Sequence, residues 1–220
     1  NRLNIIDGFD ASLALVRDSA AQVVNNDLTI SERERSLLLT GPNQGGKTTF
    51  SRMLGQIFFF SSLGLPVPCR EVDLPWTNGI NTHFNVEENP GIGDGRLQEE
   101  LKRLSHILVS TPENSVVILN ELFSSTTTYD ALEMGRRILR LFSQKQCICL
   151  YITHLHELAA SEEIVSLVAG ISDDPLPVCT FKIHRAPYVK NASANRLLAK
   201  HRLCMEDIKE RVHAAITSIW

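Results

Sequence analysis

Gly41-Pro42-Asn43-Gln44-Gly45-Gly46-Lys47-Thr48 follows the short apolar run Ser36-Leu37-Leu38-Leu39-Thr40 and leads into a helical stretch over residues 47–60. The octet fits Gly-x-x-x-x-Gly-Lys-[Ser/Thr]. Such a loop curls its backbone N–H groups around a phosphate, and its glycines take dihedrals that other residues resist. Lys47 supplies a mobile cation for β- and γ-phosphates. Thr48 offers a hydroxyl to Mg²⁺, and the start of the helix adds a favourable field. The alternative is a glycine-rich turn whose lysine is merely solvated, and the placement between an apolar strand and a helix argues against it. The stretch predicts a nucleoside triphosphate site.

On either side of this loop strand and helix signals alternate, which favours an α/β fold with a mostly parallel central sheet flanked by helices. The helix after the loop ends near Ser62 and Gly64, and Pro66 and Pro68 force an extended connection. Residues 80–86 read as a strand and 87–95 as a loop. Leu97, Leu101, Leu104, Ile107 and Leu108 recur at helical spacing and stop before Pro112. Residues 115–120 have the continuous apolar character of a buried parallel strand. A helix over about 130–142 and a strand over 147–153 complete the repeating unit. Residues 178–183 read as an edge strand, and two helical stretches follow at 192–201 and 205–219. The expected organisation is a core over 1–186 and a helical hairpin over 187–220.

Bulk properties bound the rest. With 220 residues and 43% hydrophobic content the chain can bury one large core. A net charge of −3 gives no support to a strongly basic nucleic-acid-binding face. The longest apolar candidate, Ile57-Phe58-Phe59-Phe60, is far too short to cross a bilayer. No signal peptide is read, and the opening Asn1-Arg2-Leu3-Asn4 suggests a piece of a longer chain. Five cysteines without Cys-x-x-Cys spacing point to reduced thiols in a cytoplasmic protein, with Cys147 and Cys149 as buried strand thiols.

A triphosphate site of this kind needs a carboxylate at the end of a neighbouring strand to hold the Mg²⁺ shell, and often a second to orient water. The expected pattern is four apolar residues, then Asp, then Glu. Here it reads Val116-Val117-Ile118-Leu119-Asn120-Glu121. Glu121 is the candidate base, with a plain surface carboxylate as the alternative. Asn120 takes the metal-facing position and can accept from a Mg²⁺-bound water. It lacks the charge that makes such bonds worth roughly 1.5–3 rather than about 1 kcal/mol, so metal should be held about tenfold more weakly.

These residues bring a family into view. Residues 40–49 resemble the Walker A segment of MutS-type mismatch-repair ATPases, which typically carry Asn-Met-Gly-Gly-Lys-Ser/Thr there. Asn120-Glu-Leu-Phe-Ser-Ser-Thr-Thr-Thr-Tyr-Asp-Ala131 is similar to the family's Asp-Glu-…-Gly-Thr-Ser-Thr-Tyr-Asp-Gly stretch. Tyr151-Ile-Thr-His-Leu-His-Glu-Leu158 is similar to its Ala-Thr-His-Tyr-…-Glu-Leu. The ordered set covers about residues 20–160.

The resemblance implies an ABC-type P-loop ATPase domain that pairs with a second copy and builds composite ATP–Mg²⁺ sites on the shared face. Pro42, Asn43, Gln44 and Thr49 would then belong to the nucleotide site, with Asn43 close to the γ-phosphate. His154 would follow its strand as the γ-phosphate sensor. From Thr153-His154 alone a structural histidine is an equal reading, and His156 reads as surface. Ser124 and Ser125, within the stretch 124–128, would face the partner, and Asp130 would cap the next helix. Val23 and Val24 fall, by offset, where the family packs apolar or aromatic residues against adenine.

Two departures mark a divergent branch. One is Asn120. The other is the segment that reaches across the dimer, commonly Ser-Thr-Phe, which here reads Gly95-Arg96-Leu97. Glycine amides at a helix start can bind phosphate, and Arg96 could act in trans, with a simple surface cation as the equal alternative. The expected function is slow ATP hydrolysis by a homodimer that gates a clamp on DNA, the DNA being held by domains outside this chain. The alternative is an ATP-dependent dimerisation module that hardly hydrolyses. A transporter-type ABC subunit is disfavoured because no Leu-Ser-Gly-Gly-Gln occurs, and a GTPase because no Asn-Lys-x-Asp occurs.

Overall fold

The computed structural model describes residues 2–17, 23–84, 95–172 and 178–187, with the side chain of Arg96 excepted. Their centre is a six-stranded sheet in the order β5-β6-β7-β3-β8-β9. The strands are β3 (Ser36–Thr40), β5 (Ile80–His83), β6 (Val116–Asn120), β7 (Ile148–Ile152), β8 (Ile164–Ser172) and β9 (Val178–Arg185). The first five in spatial order run parallel, and β9 closes one edge antiparallel to β8. Helices α2 (Lys47–Ser62), α3 (Arg96–Ser110) and α4 (Thr128–Gln144) flank it, so the fold is α/β with a mixed, mostly parallel sheet.

The apolar runs form central strands because both of their faces are covered. Leu37 and Leu39 of β3, Val116 and Ile118 of β6, and Ile148, Leu150 and Ile152 of β7 pack with Phe50, Met53, Leu54, Ile57 and Phe58 of α2. The alternate residues Leu38, Val117, Leu119, Cys149 and Tyr151 pack on the other face against Leu104 of α3 and Ala131, Leu139 and Phe142 of α4. Each such Leu or Ile, fully buried, contributes about 1.5–3 kcal/mol. Cys147 and Cys149 are buried thiols, and burial pushes both up from the usual thiol range.

A second, three-stranded antiparallel sheet, in the order β2-β1-β4, was not foreseen from the sequence. It comprises β1 (Leu3–Gly8), β2 (Asn26–Ile30) and β4 (Glu71–Asp73), and its Leu3, Ile5, Leu28 and Ile30 join the α2 side of the core. The short helix α1 (Ala11–Val16) follows β1. Buried Asp10 caps α1 and also binds α2. Its carboxylate accepts from Ser12 N–H at 3.0 Å, Gln56 Nε2 at 2.9 Å and Arg52 Nε at 2.8 Å. α2 is thereby fixed against the small sheet.

Three expectations need correction or limits. The strand expected over 80–86 ends at His83, and residues 85–94 lie outside the described residues. The cap of α4 is Thr127, not Asp130. Thr127 Oγ1 accepts from the Asp130 N–H at 3.2 Å and donates to the Asp130 carboxylate at 2.7 Å, so Asp130 reciprocates from the first turn. The hairpin expected over 187–220 lies, past Pro187, outside the described residues. No helix among the described residues is long and apolar enough to cross a membrane.

Candidate functional site

Parallel strands deliver the loops that follow them to one edge of a sheet. Here β7 lies between β3 and β6, pairing Ile152 with both Leu39 and Asn120. Hydrogen bonds continue past the strand ends: Thr153 N–H donates to Leu39 C=O at 3.1 Å, and Glu121 N–H to Ile152 C=O at 2.9 Å. The loop after β3, the carboxylate after β6 and the histidine after β7 therefore emerge side by side.

The glycine loop turns sharply into α2. Gly41 has φ 136°, Gln44 φ 62° and Gly46 φ 89°. A Cβ on Gly41 would lie 2.7 Å from the Ala169 Cβ of β8, so glycine is required there for both dihedral and space. Gly46 occupies the N-cap of α2, and no side chain caps this helix. Its first-turn N–H groups are the kind that bind anions. Lys47 is only 5% exposed, and its ammonium donates to the carbonyls of Gly41 at 3.0 Å and Pro42 at 2.9 Å. Burial lowers its pKa, opposed by the charges of Glu121 and Cys179. Asn43, Gln44 and Thr48 are exposed along the rim, and Thr49 is half-buried.

Glu121 takes the left-handed conformation (φ 53°), as does Phe123 (φ 63°). Its Oε1 lies 3.4 Å from His154 Nε2, so the candidate base and the candidate sensor meet directly. Asn120, before it, has an Oδ1 that is buried without a hydrogen-bond partner among the described residues. Its acceptor, with the exposed hydroxyl of Thr48, is the donor set a hydrated Mg²⁺ beside a triphosphate would use. Among the described residues no three His, Cys, Asp or Glu side chains form a metal cluster, so a metal here would rest on hydroxyl, amide and phosphate oxygens.

Ser124 and Ser125 are exposed, as is Tyr129 at 79%. Gly95 is the exposed N-cap of α3, and nothing is described of the Arg96 side chain. Val23 is buried while Val24 is exposed, so only Val24 offers much surface to a base. His156, expected at the surface, is half-buried in a 3₁₀ turn over His156–Ala160. Burial lowers its pKa, opposed by the Glu157 charge and helped by His154 and Lys47, and its backbone N–H donates to the His154 C=O at 3.0 Å, so it adjoins the site.

Three features carried no sequence signal strong enough to find them. Phe181 of β9 (φ 58°) lies 3.5 Å from where a Gly46 Cβ would stand, and so borders the loop. Asn26 ties β9 to β2: its Nδ2 donates to Phe181 C=O at 3.1 Å, and its Oδ1 accepts from Ile183 N–H at 2.7 Å. Glu100 of α3, 9% exposed, accepts the Phe123 N–H at 3.0 Å. Only Asn26, a polar residue before the alternating Asp27-Leu28-Thr29-Ile30, stood where a periodicity argument could have placed it. Away from this edge, a cavity of about 300 Å³ is lined by Ser36, Arg136, Arg140 and Ser161 among others, at the start of β3.

A family model described as MutS domain V matches residues 37–174. The DNA mismatch repair protein MutS of Rickettsia prowazekii (strain Madrid E) is 31% identical over 153 residues, covering 69% of this chain and 17% of that protein. The protein of the same name from Petrotoga mobilis (strain DSM 10674 / SJ95) is 34% identical over 146 residues, covering 66% of this chain and 18% of that protein. The chain thus spans less than a fifth of the length of these relatives. The matched span runs from β3 through β8 and includes every strand whose end contributes to the edge described above. The chain belongs to the MutS family, through its domain V.

Proposed function

We propose that this chain is an ABC-type P-loop ATPase domain of a MutS-like DNA repair protein, binding ATP and Mg²⁺ at the loop of residues 41–48. The observation that carries the reading is the convergence of Lys47, Glu121 and His154 at one edge of the sheet, with His154 and Glu121 3.4 Å apart. Backbone N–H groups of the loop and of the first turn of α2 would cradle the phosphates. Lys47 would exchange its two carbonyl partners for phosphate oxygens, which as charged acceptors form stronger bonds. Thr48 and, through water, Asn120 would hold Mg²⁺, which when bound neutralises charge on the phosphates. Glu121 would accept a proton from water, and His154 would sense the terminal phosphate and orient Glu121. Val24 and Phe181 would border the base.

The stretch Ser124–Thr128, exposed except at half-buried Thr126, would meet a second copy of the chain with Gly95 and Arg96 and complete its site, making a homodimer. Residues 1–186 would form the ATPase core and 187–220 a dimerisation element. ATP occupancy would gate a clamp on DNA through domains outside this chain. A second reading is favoured by Asn120: without a carboxylate at that position, the domain would bind ATP and dimerise while hydrolysing it very slowly.

Steady-state phosphate release by the full-length protein separates the two, measured beside Glu121→Ala. Release above the Glu121→Ala background is expected for the hydrolase. Release that matches that background sinks the hydrolysis claim and leaves the binding module.

A further inference from the structure

Helix α3 buries its apolar stripe through Leu97, Leu104, Ile107 and Leu108, and Glu100 falls on that stripe, between Leu97 and Leu104. A leucine there would complete the packing. A buried carboxylate costs several kcal/mol unless hydrogen bonds offset it. One partner it finds is the backbone N–H of Phe123, 3.0 Å away. The other end of the same peptide is also held, because the Tyr151 hydroxyl donates to Leu122 C=O over a longer 3.4 Å. Burial pushes the Tyr151 phenol up, against a side-chain hydrogen bond with Thr153 and helped by the nearby Glu100 carboxylate, so it stays a donor at neutral pH. One peptide unit, Leu122–Phe123, is thus gripped by α3 at its N–H and by β7 at its C=O.

The residue before that peptide is Glu121, and both Glu121 and Phe123 hold left-handed dihedrals. Such dihedrals cost of order 1–3 kcal/mol each for residues other than glycine, and persist only where the surroundings impose them. Glu100 sits one helical turn from Gly95, whose carbonyl accepts from Gln98 N–H at 2.7 Å at the head of α3. A shift in the head of this helix therefore reaches the Glu121 loop through one side chain.

We propose that Glu100 is a positioning residue that couples the seating of α3 to the orientation of Glu121, by holding the Leu122–Phe123 peptide against Tyr151. The proposal rests on the ATPase reading given above, in which the head of α3 meets the partner copy. Dimerisation would then reach the water-orienting carboxylate through Glu100.

The test uses the full-length protein and two substitutions of similar volume. Glu100→Met suits the apolar stripe but cannot accept a hydrogen bond; Glu100→Gln keeps an acceptor. Glu100→Met leaves the buried Phe123 N–H without its acceptor, and the folded variant is expected to lower kcat for ATP about tenfold or more, with KM changed less than about twofold. Glu100→Gln is expected to restore most of the rate, and the Phe123 amide should exchange with deuterium faster in Glu100→Met than in Glu100→Gln. Wild-type release above that of Lys47→Ala, with Glu100→Met equal to wild type, overturns the positioning role alone. So does a Glu100→Gln enzyme as slow as Glu100→Met. Wild-type release no higher than Lys47→Ala overturns the ATPase reading itself, and this proposal with it.

Discussion

His154 Nε2 stands 3.4 Å from Glu121 Oε1, so the ends of β7 and β6 are joined through side chains as well as through the sheet. Thr153 and Glu121 are each held to the neighbouring strand by a backbone hydrogen bond, at 3.1 and 2.9 Å. The pair is therefore placed by the strands rather than by a free loop. Rigid placement of this kind is what the role proposed for Glu121, orienting water, would require.

Replacing that carboxylate should separate binding from turnover. Glu121→Gln keeps the shape and loses the base, so phosphate release should fall by about 10²-fold or more. ATP affinity should stay within about threefold, because the loop and Lys47 are untouched. Single-turnover phosphate release and calorimetry read the two quantities.

Lys47→Ala should weaken ATP binding by at least about tenfold, the value of one lost charge-assisted contact. Its ammonium is already aimed into the loop by Gly41 and Pro42. Calorimetry on the full-length protein decides the matter, and unchanged affinity would refute the site.

Asn120→Asp should tighten Mg²⁺ about tenfold in the presence of nucleotide, by converting a neutral acceptor into a charged one. If weak metal binding limits turnover, the same change raises phosphate release. A Mg²⁺ titration that is superimposable for the two proteins would remove Asn120 from the metal shell.

Gly41→Ala should destabilise the fold by about 1–3 kcal/mol, since alanine would be strained at this dihedral. Its new methyl would also meet Ala169 of β8 at 2.7 Å. Denaturant unfolding gives the value. A variant as stable as wild type would mean that β8 can move away from the loop.

Acid should loosen the packing of α2 on the small sheet. Burial disfavours the Asp10 carboxylate, but hydrogen bonds from Gln56 and Arg52, the Arg52 charge and the Leu13 N–H outweigh it and hold its pKa below 3.8. A folded pKa below the unfolded one contributes stability that is present above 3.8 and is lost as pH falls through the folded value. Asp10→Asn should cost about 2 kcal/mol at neutral pH, from a weakened cap and lost charge-assisted bonds. That difference should shrink below pH 3.8 in denaturant titrations; a gap independent of pH would contradict the assignment.

Much of the fold was legible because the relevant signals are local. Residues 36–40, 116–120 and 148–152 are continuous apolar runs, which is what burial on both faces of a parallel sheet demands. The loop of 41–48 is set by glycine stereochemistry and one lysine, and α3 by its leucine spacing. Less legible was the small sheet, since β1 and β4 pair across more than sixty residues and each offers few inward side chains. The 3₁₀ turn that half-buries His156, and the transfer of the α4 cap from Asp130 to Thr127, depend on packing and on a one-turn shift of helix start that propensity does not set.

The residues proposed for the site, namely the glycine loop, Lys47, Thr48, Asn120-Glu121 and Thr153-His154, were each legible in the sequence from the strand or helix beside them. Which of them touch is set by strand order and packing. The insertion of β7 between β3 and β6 brings His154 to Glu121, and the return of β9 sets Phe181 beside Gly46. The apolar stripe of α3 turns Glu100 toward Phe123. Local periodicity fixes the face a residue points from, but strand order and the packing of helices on a sheet fix what it points at.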